Sequence, residues 1–156
     1  MLSQDVYARD VAGAPTGARR FFDLVRLHAS GKHILFFEQE MDLLKKGVTE
    51  FGLSMDETRG IVMNAAQSAH LVLESQIDRQ LVSFMKKSLK RGKISRGEFR
   101  RLVKVYKIMT EGTVPADEAE KRVKLIVVRH GLRAKRYWLH LGTRRWYNKI
   151  KQPQTA

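Results

Sequence analysis

From Arg19 onward, apolar residues recur three or four positions apart, which is the period of an amphipathic helix. Phe22, Val25 and Ala29 open the series, and Ser30-Gly31 supplies a stop. A second helix is predicted from His33 to Phe51, with Leu35, Phe36, Met41, Leu43, Leu44, Val48 and Phe51 on its apolar face and Gly52 at its end. Ser54-Met55-Asp56-Glu57 is a capping box, in which a serine oxygen accepts an orphan backbone N–H and the glutamate reaches back. Behind it Val62, Ala66, Ala69, Leu73, Ile77, Leu81 and Phe84 continue the period, without a proline, to Lys90-Arg91-Gly92. This predicts one long helix of about 36 residues, roughly 54 Å, with Gly60 or Ser75 as places for a kink.

A second capping box, Ser95-Arg96-Gly97-Glu98, starts a fourth helix whose buried stripe is Phe99, Leu102, Val103, Tyr106 and Met109. Pro115 followed by Asp117 and Glu118 opens a fifth, running to His130 with Gly131 beyond it. The β-branched run Val123–Val128 suits a strand in isolation, but nothing else in the chain offers it a partner, so the helix is preferred. A last segment, Leu132 to Ile150, mixes aromatic and basic residues. Residues 1–18 lack an apolar period and carry Gly13, Pro15 and Gly17, as expected of a flexible arm; residues 152–156 form a loose tail. No internal repeat is visible. The expected fold is all-α: one domain over residues 19–151, a bundle of five or six helices around one long central helix.

Composition narrows the function. The 156 residues contain no cysteine, which excludes disulfide frameworks, thiolate metal sites and thiol catalysis. No run approaches the ~18 apolar residues of a membrane span, and no apolar core follows a positive N-terminus, so a cytoplasmic protein is expected. The net charge is +14, and it is unevenly placed. Residues 1–78 carry 8 basic and 11 acidic side chains; residues 79–156 carry 22 basic and 5 acidic. A half-chain so charged repels itself unless a polyanion or an acidic partner lies against it.

Two short motifs carry their own resemblances. Gly92-Lys93-Ile94-Ser95-Arg96-Gly97-Glu98-Phe99 resembles the second half of an EF-hand loop and its exiting helix. The positions that would coordinate calcium are Lys87, Leu89 and Arg91, and none offers the oxygen a hard dication requires. Leu125-Ile126-Val127-Val128-Arg129-His130-Gly131 resembles the N-terminal signature of the histidine phosphatase family, which would make His130 a phosphorylated nucleophile and Arg129 its phosphate clamp. Only 25 residues follow Gly131 and none is acidic, so the later part of the chain supplies no proton donor for a leaving group. Both motifs read instead as helix ends. Glu38, Glu40 and Asp42 alternate around the second helix as a solvated face, and the five histidines show no paired ligand spacing. No enzyme activity, metal or cofactor is expected.

The basic residues do have a pattern. Lys86, Lys87, Lys90, Arg91 and Lys93 cluster around the glycine turn. Arg96, Arg100, Lys104 and Lys107 follow at helical spacing, with Arg101 beside them and the apolar stripe turned away. Stacked like charges weaken a helix by a few tenths of a kcal/mol per pair, and the phosphates of nucleic acid are their natural counter-charge. Arg133, Lys135, Arg136, Arg144, Arg145, Lys149 and Lys151 repeat the theme among Tyr137, Trp138, Trp146 and Tyr147. For both tryptophans the pattern leaves core anchoring and base stacking open, with Trp138 expected to be buried and Trp146 the more exposed. Lys90 to Glu98 also allows a helix-turn-helix. The exposed face of the fourth helix offers no Asn or Gln to read adenine, so backbone binding is expected rather than base readout.

The expectation is a non-catalytic nucleic-acid-binding protein, DNA or RNA, serving as an accessory subunit of a larger nucleoprotein assembly. The acidic first half is left for protein partners. The alternative is an adaptor whose basic face docks an acidic protein or an anionic membrane surface.

Overall fold

The computed structural model describes residues 16–88, 92–135 and 145–151. Helices dominate them, and the packing divides the chain into two compact units between Ser75 and Gln76. In order, the elements are α1 (Thr16–Ala29), β1 (Ile34–Leu35), α2 (Phe37–Thr49), α3 (Met55–Ser68), β2 (Val72–Leu73), α4 (Glu74–Ser88), β3 (Lys93–Ile94), α5 (Arg96–Met109), α6 (Ala116–Arg129), β4 (Arg133–Ala134) and α7 (Arg145–Asn148). The all-α class holds. The expected arm and tail lie almost wholly outside the described residues.

In the first unit, α1, α2 and α3 enclose Phe21, Val25, Leu43, Leu44, Val62, Ala65 and Ala66. Phe51 leans on Phe21 with ring centroids 5.3 Å apart. The contact between α2 and α3 depends on Gly47, because a Cβ there would stand 2.4 Å from Thr58 Cγ2. The capping box at Ser54 forms as predicted: Glu57 N–H donates to Ser54 Oγ at 3.2 Å, and Ser54 N–H donates to Glu57 Oε2 at 2.8 Å. Bonding of the carboxyl by the Ser54 side chain and by the Ser54 N–H holds Glu57 below the usual carboxylate range.

The long central helix is not present. Its predicted span is divided between α3 and α4 by a turn at residues 69–73. His70 takes a left-handed φ of 51°, its N–H donates to the Gln67 carbonyl, and the Leu71 N–H donates to the Ala66 carbonyl at 2.8 Å. This is the Schellman arrangement that ends helices, built on a histidine where glycine is usual. The apolar spacing crosses the break because Leu71 and Leu73 turn into the same core as Ala66. Past the turn, Val72 and Leu73 pair in parallel with Ile34 and Leu35. Two of the stripe residues, Ala69 and Phe84, are exposed.

The solvated acidic face on the second helix also needs correction. Glu40 is buried, and its Oε1 accepts the Ser75 hydroxyl at 2.9 Å. Glu74, which is also buried, accepts the Phe37 N–H at 2.8 Å.

The second unit repeats the plan of the first. Met55–Ser68 and Ala116–Arg129 are both 14-residue helices, 61 positions apart. At the same offset Gly131 (φ 67°) matches His70 and Leu132 N–H donates to Val127 as Leu71 does to Ala66; β4 also pairs in parallel with β3 as β2 does with β1. Its core collects Ile77, Leu81, Met85, Phe99, Leu102, Tyr106, Val123 and Ile126. Val123–Val128 is helical, as preferred. The sequence shows no repeat because equivalent positions differ in chemistry, with Glu74 matching Lys135 and Ala69 matching His130.

Candidate nucleic-acid interface

Helix α5 carries the basic stripe, and its start is firmly set. Ser95 N–H donates to Glu98 Oε2 at 2.6 Å, while Glu98 N–H donates to Ser95 Oγ at 3.2 Å. Burial opposes the Glu98 charge, but the bonds from the Ser95 side chain and N–H and the nearby Lys135 ammonium outweigh it and hold the carboxyl below its usual range. Phe99, Leu102, Val103 and Tyr106 are buried, which turns Arg96, Arg100, Arg101 and Lys104 out to solvent. Lys107 is half-buried on the last turn.

The acidic side chains of this unit are largely engaged elsewhere. Asp78, on α4 and buried, accepts Arg129 Nη1 and bonds His130 Nε2, each at 2.6 Å. Arg129 and His130 thus hold a carboxylate from 51 and 52 positions upstream, where the phosphatase-like motif would commit them to a phosphate. Gly131 caps the helix as expected. Glu118 takes Lys121 and Arg122, Asp117 takes Lys121, and Glu98 takes Lys135. Lys135 is therefore a structural ion pair, unlike the other predicted cations among the described residues. Arg96, Arg100, Arg101 and Lys104 have no carboxylate partner among the described residues.

The fold also joins cations that are far apart in sequence. Lys93 and Arg133 are register partners in the β3–β4 pair, both exposed. Lys86 and Lys87 are exposed on the last turn of α4, and Arg145 is exposed at the start of α7. Lys90, Arg91, Arg136 and Arg144 lie outside the described residues, as does Trp138.

The C-terminal segment docks by two means. Trp146 and Tyr147 pack edge-on against Phe99, with centroids 5.5 and 5.9 Å away, and against one another at 5.4 Å. Lys124 donates to the carbonyls of Ile150 at 2.6 Å and Tyr147 at 3.1 Å, with its ammonium 4.9 Å from the Tyr147 ring centre. Burial lowers the Lys124 ammonium from its usual range and raises the Tyr147 phenol. Trp146 is half-buried, and its Nε1 is enclosed without an acceptor among the described residues.

This docking forms a cleft of about 170 Å³, lined by Arg96, Phe99, Arg100, Glu120, Trp146, Lys149 and Ile150. Glu120 and Ile150 were not singled out in the sequence as site residues. Lys149 lay within the basic–aromatic run, but no local signal marked Glu120 or Ile150. No helix among the described residues is long and apolar enough to cross a membrane. No protein family, curated protein or solved structure matches this chain.

Proposed function

We propose that the second unit binds nucleic acid through its phosphate backbone, without catalysis, as an accessory subunit of a larger nucleoprotein assembly. The observation that carries this reading is the division of labour among its charges. Asp78, Glu98, Asp117 and Glu118 pair with Arg129, His130, Lys121, Arg122 and Lys135, while Arg96, Arg100, Arg101 and Lys104 on α5 are exposed and have no ion pair among the described residues. Helix α5 holds no Asn or Gln, so neighbouring subunits supply the choice of sequence.

Salt dependence tests it. Each phosphate neutralised contributes ~0.7–0.9 to the slope of log affinity against log salt. Replacing Arg96, Arg100 and Lys104 together by Gln should lower that slope by about 2 and weaken unrelated oligonucleotides alike. An unchanged slope in a folded variant overturns the reading. Capture of one acidic protein with no affinity for any oligonucleotide replaces it with the adaptor alternative.

A further inference from the structure

We infer that the cleft between α5 and α7 receives one unpaired nucleobase while its rim holds the adjoining phosphate, so that the second unit prefers single-stranded nucleic acid to duplex. The inference rests on the nucleic-acid reading above and adds a strand preference to it.

Size is the first argument. At about 170 Å³ the cleft falls well below the ~300–1,000 Å³ of pockets that enclose drug-sized ligands, so it suits one ring system rather than a whole cofactor. Its lining is the second. Phe99, Trp146 and Ile150 form apolar walls, and flat rings stack or wedge against such walls regardless of sequence. Arg96, Arg100 and Lys149 add three cations, of which both arginines are exposed and without a carboxylate partner among the described residues. Glu120 distinguishes the cleft from a plain anion site. A phosphate lodged beside that carboxylate is repelled, whereas base N–H donors are accepted by it. The ring therefore lies against Phe99, Trp146 and Ile150 within reach of Glu120, and the phosphate is held by Arg96, Arg100 and Lys149.

Strand preference follows from where bases are found. In a duplex they are stacked and paired, and one reaches a cleft only by flipping out at a cost of a few kcal/mol. In a single strand they are already accessible.

The full chain is titrated with a labelled single-stranded oligonucleotide and with a blunt duplex carrying the same number of phosphates. Anisotropy gives the affinities, and the Trp146 indole N–H resonance, identified by its loss in Trp146→Phe, reports on the cleft. Single strand should bind about tenfold more tightly than duplex and shift that resonance. Ile150→Trp, which fills the cleft but keeps the backbone carbonyl that Lys124 holds, should reduce single-strand affinity about tenfold to the duplex level. Unchanged duplex binding by that variant shows that it is folded. Equal affinity for both strands with an unmoved indole overturns the base site and leaves the phosphate reading standing. Loss of duplex and single-strand binding together in Ile150→Trp, with an unchanged melting profile, also overturns it. Absence of binding to either by the unaltered chain overturns the phosphate reading itself.

Discussion

Asp78 joins α4 to the end of α6 in the second unit. Its side chain retains 7% of its accessibility and receives both the Arg129 guanidinium and the His130 ring, from 51 and 52 positions downstream. Removing one partner of a fully buried charge pair costs ~3–5 kcal/mol, because the remaining charge is left without compensation. Here Arg129 keeps 26% and His130 36% of their exposure, so water recovers part of that cost. Asp78→Ala should therefore lose about 2–3 kcal/mol, a large share of the 5–15 kcal/mol by which domains are stable. Asp78→Asn keeps an acceptor but loses the charge, and should fall about midway. Urea unfolding followed by far-UV circular dichroism measures both, with the midpoint moving and the slope unchanged. Double-mutant cycles with Arg129→Ala and His130→Ala separate the two contacts, each expected to couple to Asp78 by about 1 kcal/mol. A loss below about 0.5 kcal/mol for Asp78→Ala, or coupling near zero in both cycles, would refute the reasoning.

Other consequences are simpler to check. His70 is exposed and left-handed, so His70→Gly should raise stability by up to about 1 kcal/mol in thermal unfolding, since the strain it relieves exceeds the packing it removes. The Glu98 carboxyl is depressed below its usual 4.5, so its stabilisation is present above that pH and is lost as pH falls through the lower folded value. Glu98→Gln should accordingly lose less stability than the unaltered chain on acidification from neutral pH, as read by melting across a pH series. Trp146→Ala removes a half-buried ring packed on Phe99 and Tyr147 and should cost about 2 kcal/mol of folding stability, below the ~3–5 of a fully buried tryptophan. A negligible change in its melting point would mean that the ring does not anchor the segment.

Much of the local structure was legible because its causes are local. Both capping boxes, at Ser54 and Ser95, act over three residues, and the Phe99, Leu102, Val103 and Tyr106 stripe acts over four, so the starts of α3 and α5 and the outward face of Arg96, Arg100 and Lys104 could be read directly. The uneven charge of the two halves needs no structure at all. Tertiary structure decided the rest. The turn at His70 ends α3 without a glycine, and the apolar period runs through it because residues on both sides of the turn reach one core. The paired dipeptides β1–β2 and β3–β4 are too short to show alternation, and each exists only because its partner, roughly 40 residues away, is brought alongside. The same holds for Asp78 with Arg129 and His130, for Lys93 beside Arg133, and for Glu40 turned inward to Ser75. The cleft depends on this most, since Lys124 and Phe99 must first hold Trp146 and Ile150 in place before Arg96, Arg100, Glu120 and Lys149 share one lining. Hydrophobic period and capping report on a few neighbouring residues, whereas a site assembled from three helices depends on contacts that form only when the chain closes on itself.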